Sequence, residues 1–252
     1  MKIFILAGQS NMAGRGEASF LPARLQQPQT DVRYYYQCVF AADKSTPFNS
    51  DGWGYLQPCR KHISTPGNHF GPEITFGRFM ADMWNNQIGL IKVAWGGTNL
   101  AEEWNPEATT GKQLYKELME RIRSAEELLE KQGQEAEYMG LLWMQGESDA
   151  MTLEFAQAFR HNQELLIARI REDLGTADLP FIMGQIVNRT NPKMVYAEMV
   201  RQAQAEVAAG DANTALVLTD DLSDRGDGAH FTAEALMTLG ERFARAYLEL
   251  SG

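Results

Sequence analysis

Apolar residues in this chain fall into short unbroken runs separated by stretches of helical periodicity. The runs are Ile3 to Ala7, Val32 to Phe40, Ile88 to Trp95, Tyr138 to Met144, Phe181 to Val187 and Thr214 to Thr219. Most are continuous rather than alternating, which predicts strands covered on both faces. Between them, Phe76, Phe79, Met80, Met83 and Trp84 share one helical face after Gly71-Pro72, where proline suits the start of a helix. Leu114, Leu118, Ile122, Ala125 and Leu129 form a second face, with Glu117 and Arg121 spaced to pair on it. Phe155, Phe159, Leu166, Ile170 and Leu174 line a third, stopped by Gly175. A fourth opens at Asn191-Pro192 and runs through Val195, Met199, Ala203 and Val207 to Gly210; the last carries Leu236, Leu239, Phe243, Tyr247 and Leu250. Strand and helix alternate from about residue 71 onward. That alternation predicts an α/β fold with a mostly parallel sheet between helices on both faces.

Residues 14–70 break the alternation. They are rich in Pro, Gly, Asn, Gln and Ser, with one strand expected at Val32 to Phe40. The stretch is too long for a plain connection, so it is read as an ordered, loop-rich insertion decorating one end of the sheet. With no internal repeat and no linker, residues 1–252 are expected to form one domain.

Composition narrows the function classes. Hydrophobic residues make up 44% and charged residues 22%, as in ordinary globular proteins. A net charge of −10 leaves no basic stripe to neutralise phosphates, which argues against a nucleic-acid partner. No apolar run reaches the length of a membrane span. The run Ile3 to Ala7 is also too short for the core of a signal peptide. The expectation is a cytoplasmic protein, or an exported one whose leader has been removed. Cys38 and Cys59 are equally consistent with one disulfide and with two buried thiols.

The chemistry collects at the strand ends. In an open parallel sheet, ligands bind beyond the carboxyl ends of the strands. The first strand runs into Gly8-Gln9-Ser10, and the strand ending at Trp95 into Gly96-Gly97-Thr98-Asn99. The strand ending near Met144 is followed by Gln145-Gly146-Glu147-Ser148-Asp149. The strand ending at Thr219 leads to Asp227-Gly228-Ala229-His230. Taken alone, Ser10 is better explained as a helix cap than as a nucleophile. Taken with the others, it suits acyl transfer, with His230 as base and Asp227 fixing its tautomer. The N–H groups of Ser10 and Gly97 and the amide of Gln145 suit an oxyanion, with Gly96 the alternative to Gly97. Asp224 or Glu147 would be the next candidates for the third role.

The blocks GQSNMAGRG at 8–16, FGPE at 70–73, WGGTNLAEEW at 95–104, WMQGESD at 143–149 and DGAHFT at 227–232 resemble those of the SGNH hydrolases. The similarity runs nearly end to end, and points to the branch of sialate O-acetylesterases and acetylxylan-esterase-like proteins. The resemblance implies a three-layer α/β/α fold and hydrolysis of acetyl esters on sugars, with an acetylated saccharide as substrate and no cofactor or metal. It implies Ser10 as nucleophile, His230 as base, Asp227 as its partner, and Gly97 with Gln145 in the oxyanion hole. The wider superfamily usually has Asn where this chain has Gln145.

Other residues have two readings. Trp53, Tyr55 and Trp104 can stack on a sugar ring or anchor the insertion, and Asn99 is a further candidate contact to substrate. Glu73 and Glu147 are read as a helix first-turn acid and a loop brace rather than a glycosidase pair. Cys59, His62 and His69, with Cys38 upstream, match no tight zinc pattern. Rival functions are a non-catalytic carbohydrate-binding protein on the same fold and a lipase- or thioesterase-type hydrolase.

Overall fold

The structure, a computed structural model, describes residues 1–39, 48–58, 60–62, 65–187 and 191–252. In chain order the elements are β1 (Lys2–Gly8), α1 (Ser10–Ala13), β2 (Gly16–Glu17), β3 (Gln29–Val39), β4 (Phe48–Asn49), β5 (Gly54–Leu56), β6 (Arg60–His62), β7 (Thr65–Phe70), α2 (Glu73–Trp84) and β8 (Ile88–Trp95). They continue with α3 (Leu114–Glu130), β9 (Glu137–Met144), α4 (Leu153–Asp173), β10 (Phe181–Gly184), α5 (Ala197–Gly210), β11 (Thr214–Val217) and α6 (Ala233–Ser251).

Six strands run parallel in the order β11-β10-β9-β1-β8-β3, and β4 and β5 add antiparallel pairings to β3. The first strand therefore lies in the middle. β8 and β3 lie on one side of it, and β9, β10 and β11 on the other. Chain order reverses at β1, and at such a reversal a crevice opens past the strand's carboxyl end. Ser10 sits at that place.

Side chains on β1 show how the layers form. Phe4 packs edge-on to Phe76 of α2 and Tyr247 of α6, at 4.9 and 4.8 Å between ring centroids, and stacks on Trp84 at 5.5 Å. Neighbouring Ile3 and Ile5 point to the opposite face, by the two-residue period of a strand. The helices α2 and α6 approach closely because position 240 is glycine. A Cβ there would lie 2.2 Å from Pro72 O and from Thr75 Oγ1, and Thr75 Oγ1 donates to Met237 O at 2.7 Å. On the other face, Tyr115 of α3 bonds Asp173 of α4 (2.5 Å), and Arg160 of α4 pairs with Glu206 of α5 (2.9 Å). The fold is the three-layer α/β arrangement that the alternating pattern predicts.

Two boundaries differ from expectation. The stretch 14–70 is not wholly a decoration, because β3 within it pairs with β8 from Val32↔Ile88 to Val39↔Trp95 as an integral strand. What it adds is the small antiparallel sheet β2-β7-β6 and the short strands beside β3. The fourth helix begins at Ala197 rather than at Asn191-Pro192. Asn191 Oδ1 takes the Lys193 N–H (3.0 Å) and its carbonyl takes the Met194 N–H (3.1 Å), so the side chain holds a turn where a helix might have begun.

Candidate active site

The turn after β1 is dictated by glycine. Gly8 has φ +143°, and a Cβ there would lie 2.2 Å from Met144 O. With no side chain in the way, the backbone closes on β9, and Gln9 N–H donates to Met144 O (2.9 Å). The chain then enters α1, whose first residue is Ser10. As the first residue of that helix, Ser10 has no intrahelical acceptor for its N–H. Ser10 is 5% exposed. It lines a cavity of about 500 Å³ together with Arg15, Gly97, Glu147, Asp227 and His230.

The loop before α6 carries the candidate base, His230. Asp227 Oδ2 lies 2.7 Å from His230 Nδ1, and Asp227 Oδ1 accepts the backbone N–H groups of Ala229 (3.0 Å) and His230 (2.8 Å). Burial opposes ionisation of Asp227, but these donors outweigh it and hold its carboxyl down at about 2. His230 is shifted below its ordinary value. Burial is the larger cause, helped by Arg15 and Arg225 and opposed by Asp227. A proton on Nδ1 shared with Asp227 leaves Nε2 as the basic atom. Among the described residues no hydrogen bond joins Ser10 Oγ to His230; such contacts are commonly loose without substrate.

In a mechanism with His230 as general base, the imidazole must be neutral, so activity falls as pH drops through its pKa. Because that pKa is depressed, the acidic limb of kcat/KM is expected with its midpoint below 6.5. A pH series in buffers of constant ionic strength measures it; a midpoint above 6.5 would contradict the environment described here.

The loop after β8 separates its two glycines. Gly96 N–H is spent on Val39 O (2.8 Å). Gly97, with φ +68°, is exposed and lines the Ser10 cavity. Of the two, Gly97 is the residue placed to meet a ligand. Asp149 holds the next part of this loop, accepting from Leu100 N (2.9 Å) and Ala101 N (3.1 Å). Burial raises Asp149 to about 6, against the pull of Gln145 and those amides.

The structure does not bring Gln145 to the oxyanion position. It is 0% exposed, and both hydrogens of its amide are used, on Thr98 O (3.1 Å) and Asp149 Oδ2 (2.5 Å). Its place is under the Gly97–Thr98 loop, which it supports. Trp104 is likewise no sugar platform. It is 0% exposed, donates from Nε1 to Thr98 Oγ1 (2.9 Å) and packs edge-on to Trp143 at 5.2 Å. Trp53 lies by Gly89, at the amino end of β8 and so at the opposite edge of the sheet, where its Nε1 donates to Ala125 O (2.9 Å). Asn99 caps a turn, its Oδ1 accepting from Glu102 N at 2.7 Å. It lines a neighbouring cavity of about 690 Å³ that meets the Ser10 cavity at Gly97. Cys59 lies outside the described residues and Cys38 is buried on β3. No cluster of three metal-ligating side chains occurs among the described residues.

Two interactions were not anticipated. Asn11, buried beside Ser10, donates to Glu147 Oε1 (2.7 Å) and Ala229 O (2.8 Å) and accepts from Phe231 N (3.1 Å). Glu147 is 3% exposed, and burial raises its carboxyl to about 7. Below the site, Lys92 of β8 is 1% exposed and pairs with Glu73 Oε2 at 2.5 Å, while Glu73 Oε1 takes the Gly71 N–H (2.9 Å). Lys92 Nζ also donates to Ala13 O (3.3 Å), at the end of α1. Glu73 is thus a buried ion-pair partner as well as a first-turn acid.

A family model described as carbohydrate esterase, sialic acid-specific acetylesterase, matches residues 1–249. The Arabidopsis thaliana protein At4g34215, named a probable carbohydrate esterase, is 29% identical over 252 residues, covering 98% of this chain and 90% of its own. The crystal structure of that plant protein superposes with a TM-score of 0.75 at 28% identity, covering 98% of each chain. XAC1771, a carbohydrate acetylesterase from Xanthomonas citri, has a TM-score of 0.73 at 18% identity, over 98% of this chain and 56% of its own. NanS has a TM-score of 0.69 at 19% identity, over 99% and 97%. These last two share the fold.

Proposed function

This chain belongs to the carbohydrate esterase family of sialic acid-specific acetylesterases, and we propose that it removes O-acetyl groups from saccharides by a serine mechanism. The observation that carries the reading is the Asp227–His230 pair, joined at 2.7 Å, on one wall of the cavity that Ser10 lines. In this reading Ser10 Oγ attacks the acetyl carbonyl carbon while His230 Nε2 takes its proton. The tetrahedral oxyanion accepts from the N–H groups of Ser10 and Gly97, each such donor contributing about 3 kcal/mol to the barrier reduction. The C–O bond to the sugar breaks, and His230 returns the proton to the leaving hydroxyl. Water then attacks the acetyl-enzyme by the same route and releases acetate.

The cavity wall carries Arg15 and Lys193. Asp227 and Glu147 line the same wall, so its charge does not choose the sugar; the family's description does, and O-acetyl sialic acid is preferred over acetylated xylan. A fluorophosphonate probe is expected to label the wild-type chain and not Ser10→Ala, which also loses acetate release. Equal labelling of Ser10→Ala would remove the serine mechanism. Faster acetate release from acetylated xylo-oligosaccharides than from O-acetyl sialic acid would reverse the substrate preference.

A further inference from the structure

We propose that Asn11, oriented by Glu147, is a positioning residue that sets the imidazole of His230 against Ser10. The proposal rests on the serine mechanism above and adds to it the group that aligns its two reacting side chains. Asn11 bonds both neighbours of His230, Ala229 through its carbonyl at 2.8 Å and Phe231 through its N–H at 3.1 Å. Asn11 is itself the residue after Ser10, in the same short helix. One amide side chain therefore joins both immediate neighbours of His230 to the residue after Ser10, although the two segments are 220 residues apart in sequence.

An amide does this only in one orientation. Its oxygen must face the Phe231 N–H and its nitrogen the Ala229 carbonyl. Glu147 Oε1 takes the remaining Nδ2 hydrogen at 2.7 Å, so a flipped amide would turn its oxygen toward that carboxyl oxygen. Every donor and acceptor of Asn11 named here is committed, and the residue is 2% exposed. The rest of the His230 loop is tied down at residues farther from the imidazole, where Asn191 Nδ2 donates to Asp227 O (3.3 Å) and Arg225 Nη1 to Arg15 O (3.0 Å). Asp227 bonds within it, and Arg225 N and Thr232 N close it on His230 O (2.8 Å) and Ser223 O (3.0 Å). A displacement of about 1 Å between reacting groups can cost on the order of 100-fold in rate, and Asn11 is placed to prevent it.

The role assigned to Glu147 is to accept a hydrogen bond, not to exchange a proton with substrate. Glutamine can accept through its amide oxygen, whereas leucine cannot. On the full chain, kcat, KM and Tm are measured for Asn11→Ala, Asn11→Asp, Glu147→Gln and Glu147→Leu with one acetylated substrate. Asn11→Ala and Glu147→Leu are expected to lower kcat by roughly 30- to 100-fold with KM within about threefold. Glu147→Gln is expected to restore most of the rate. Asn11→Asp keeps the acceptor for Phe231 N and the side-chain shape, so it reports the loss of the two donated bonds even where alanine fails to fold. In a His230→Ala background the Asn11→Ala loss should shrink to about threefold or less, since no imidazole remains to misplace.

A lowered Tm with unchanged kcat in Asn11→Ala and Asn11→Asp would overturn the proposal, as would equal losses with and without His230. Glu147→Gln as slow as Glu147→Leu would replace the positioning role of Glu147 with one for its charge. An active Ser10→Ala variant fails the serine mechanism itself, which separates that failure from a failure of the positioning role.

Discussion

Asp227→Asn is expected to lower kcat by about 10,000-fold while leaving KM and the fold near wild type. The reason is local. Asp227 Oδ1 anchors the loop through two backbone N–H groups, and an asparagine oxygen can keep both. The amide nitrogen then falls where Oδ2 now faces His230 Nδ1 at 2.7 Å. Facing a donor, Nδ1 must become an acceptor, which moves the imidazole proton to Nε2. An Nε2–H cannot take a proton from Ser10. Steady-state kinetics with circular dichroism and Tm on the same preparation test this. A variant within tenfold of wild-type kcat would show that Asp227 only shapes the loop.

Lys92→Met is expected to destabilise the protein by about 3–5 kcal/mol, because it leaves the Glu73 carboxylate buried without its partner. For a chain of this size that corresponds to a Tm lower by roughly 10 °C. Glu73→Gln in the same chain should recover most of the loss, since both buried charges are then gone. The pair also touches the site. Lys92 binds Ala13 O at the end of α1, and a Cβ at Gly71 would lie 2.7 Å from Met12 O. A Lys92→Met protein as stable as wild type would mean that water or a shifted proton satisfies Glu73. Urea titration of the two singles and the double separates these outcomes.

The residues that were legible in sequence are those whose position follows from the end of a strand. Ser10, Gly97, Asp227 and His230 each follow a recognisable run, and a parallel sheet puts all such ends on one edge. Gln145 obeys the same rule and still turns away, because a strand end fixes where a residue starts and not where its side chain points. Its amide found Thr98 O and Asp149 before any ligand. Trp53 and Trp104 misled for a related reason. Aromatic residues in polar stretches look exposed, yet each ring is packed and each indole N–H has a partner. Asn11 carries no periodicity, so its three bonds could be found only with the fold in hand. Lys92 was different. A lysine in the centre of Ile88 to Trp95, a run otherwise apolar, demands a buried partner, and that signal was available in the sequence.

The buried acids of the site have a consequence for proton linkage. Glu147 at about 7 and Asp149 at about 6 lie above the ordinary carboxylate values of 4.5 and 3.8. The folded chain therefore holds protons that the unfolded chain releases between about pH 4 and 7. By linkage, their contribution to stability is full below that window and lost as pH rises through it. His230 runs the other way, because its depressed pKa makes the neutral form, the one the proposed mechanism uses, persist into mild acid. In the proposed mechanism, a base of lowered pKa beside acids of raised pKa suits turnover toward the acidic side, where those acids cost the fold least.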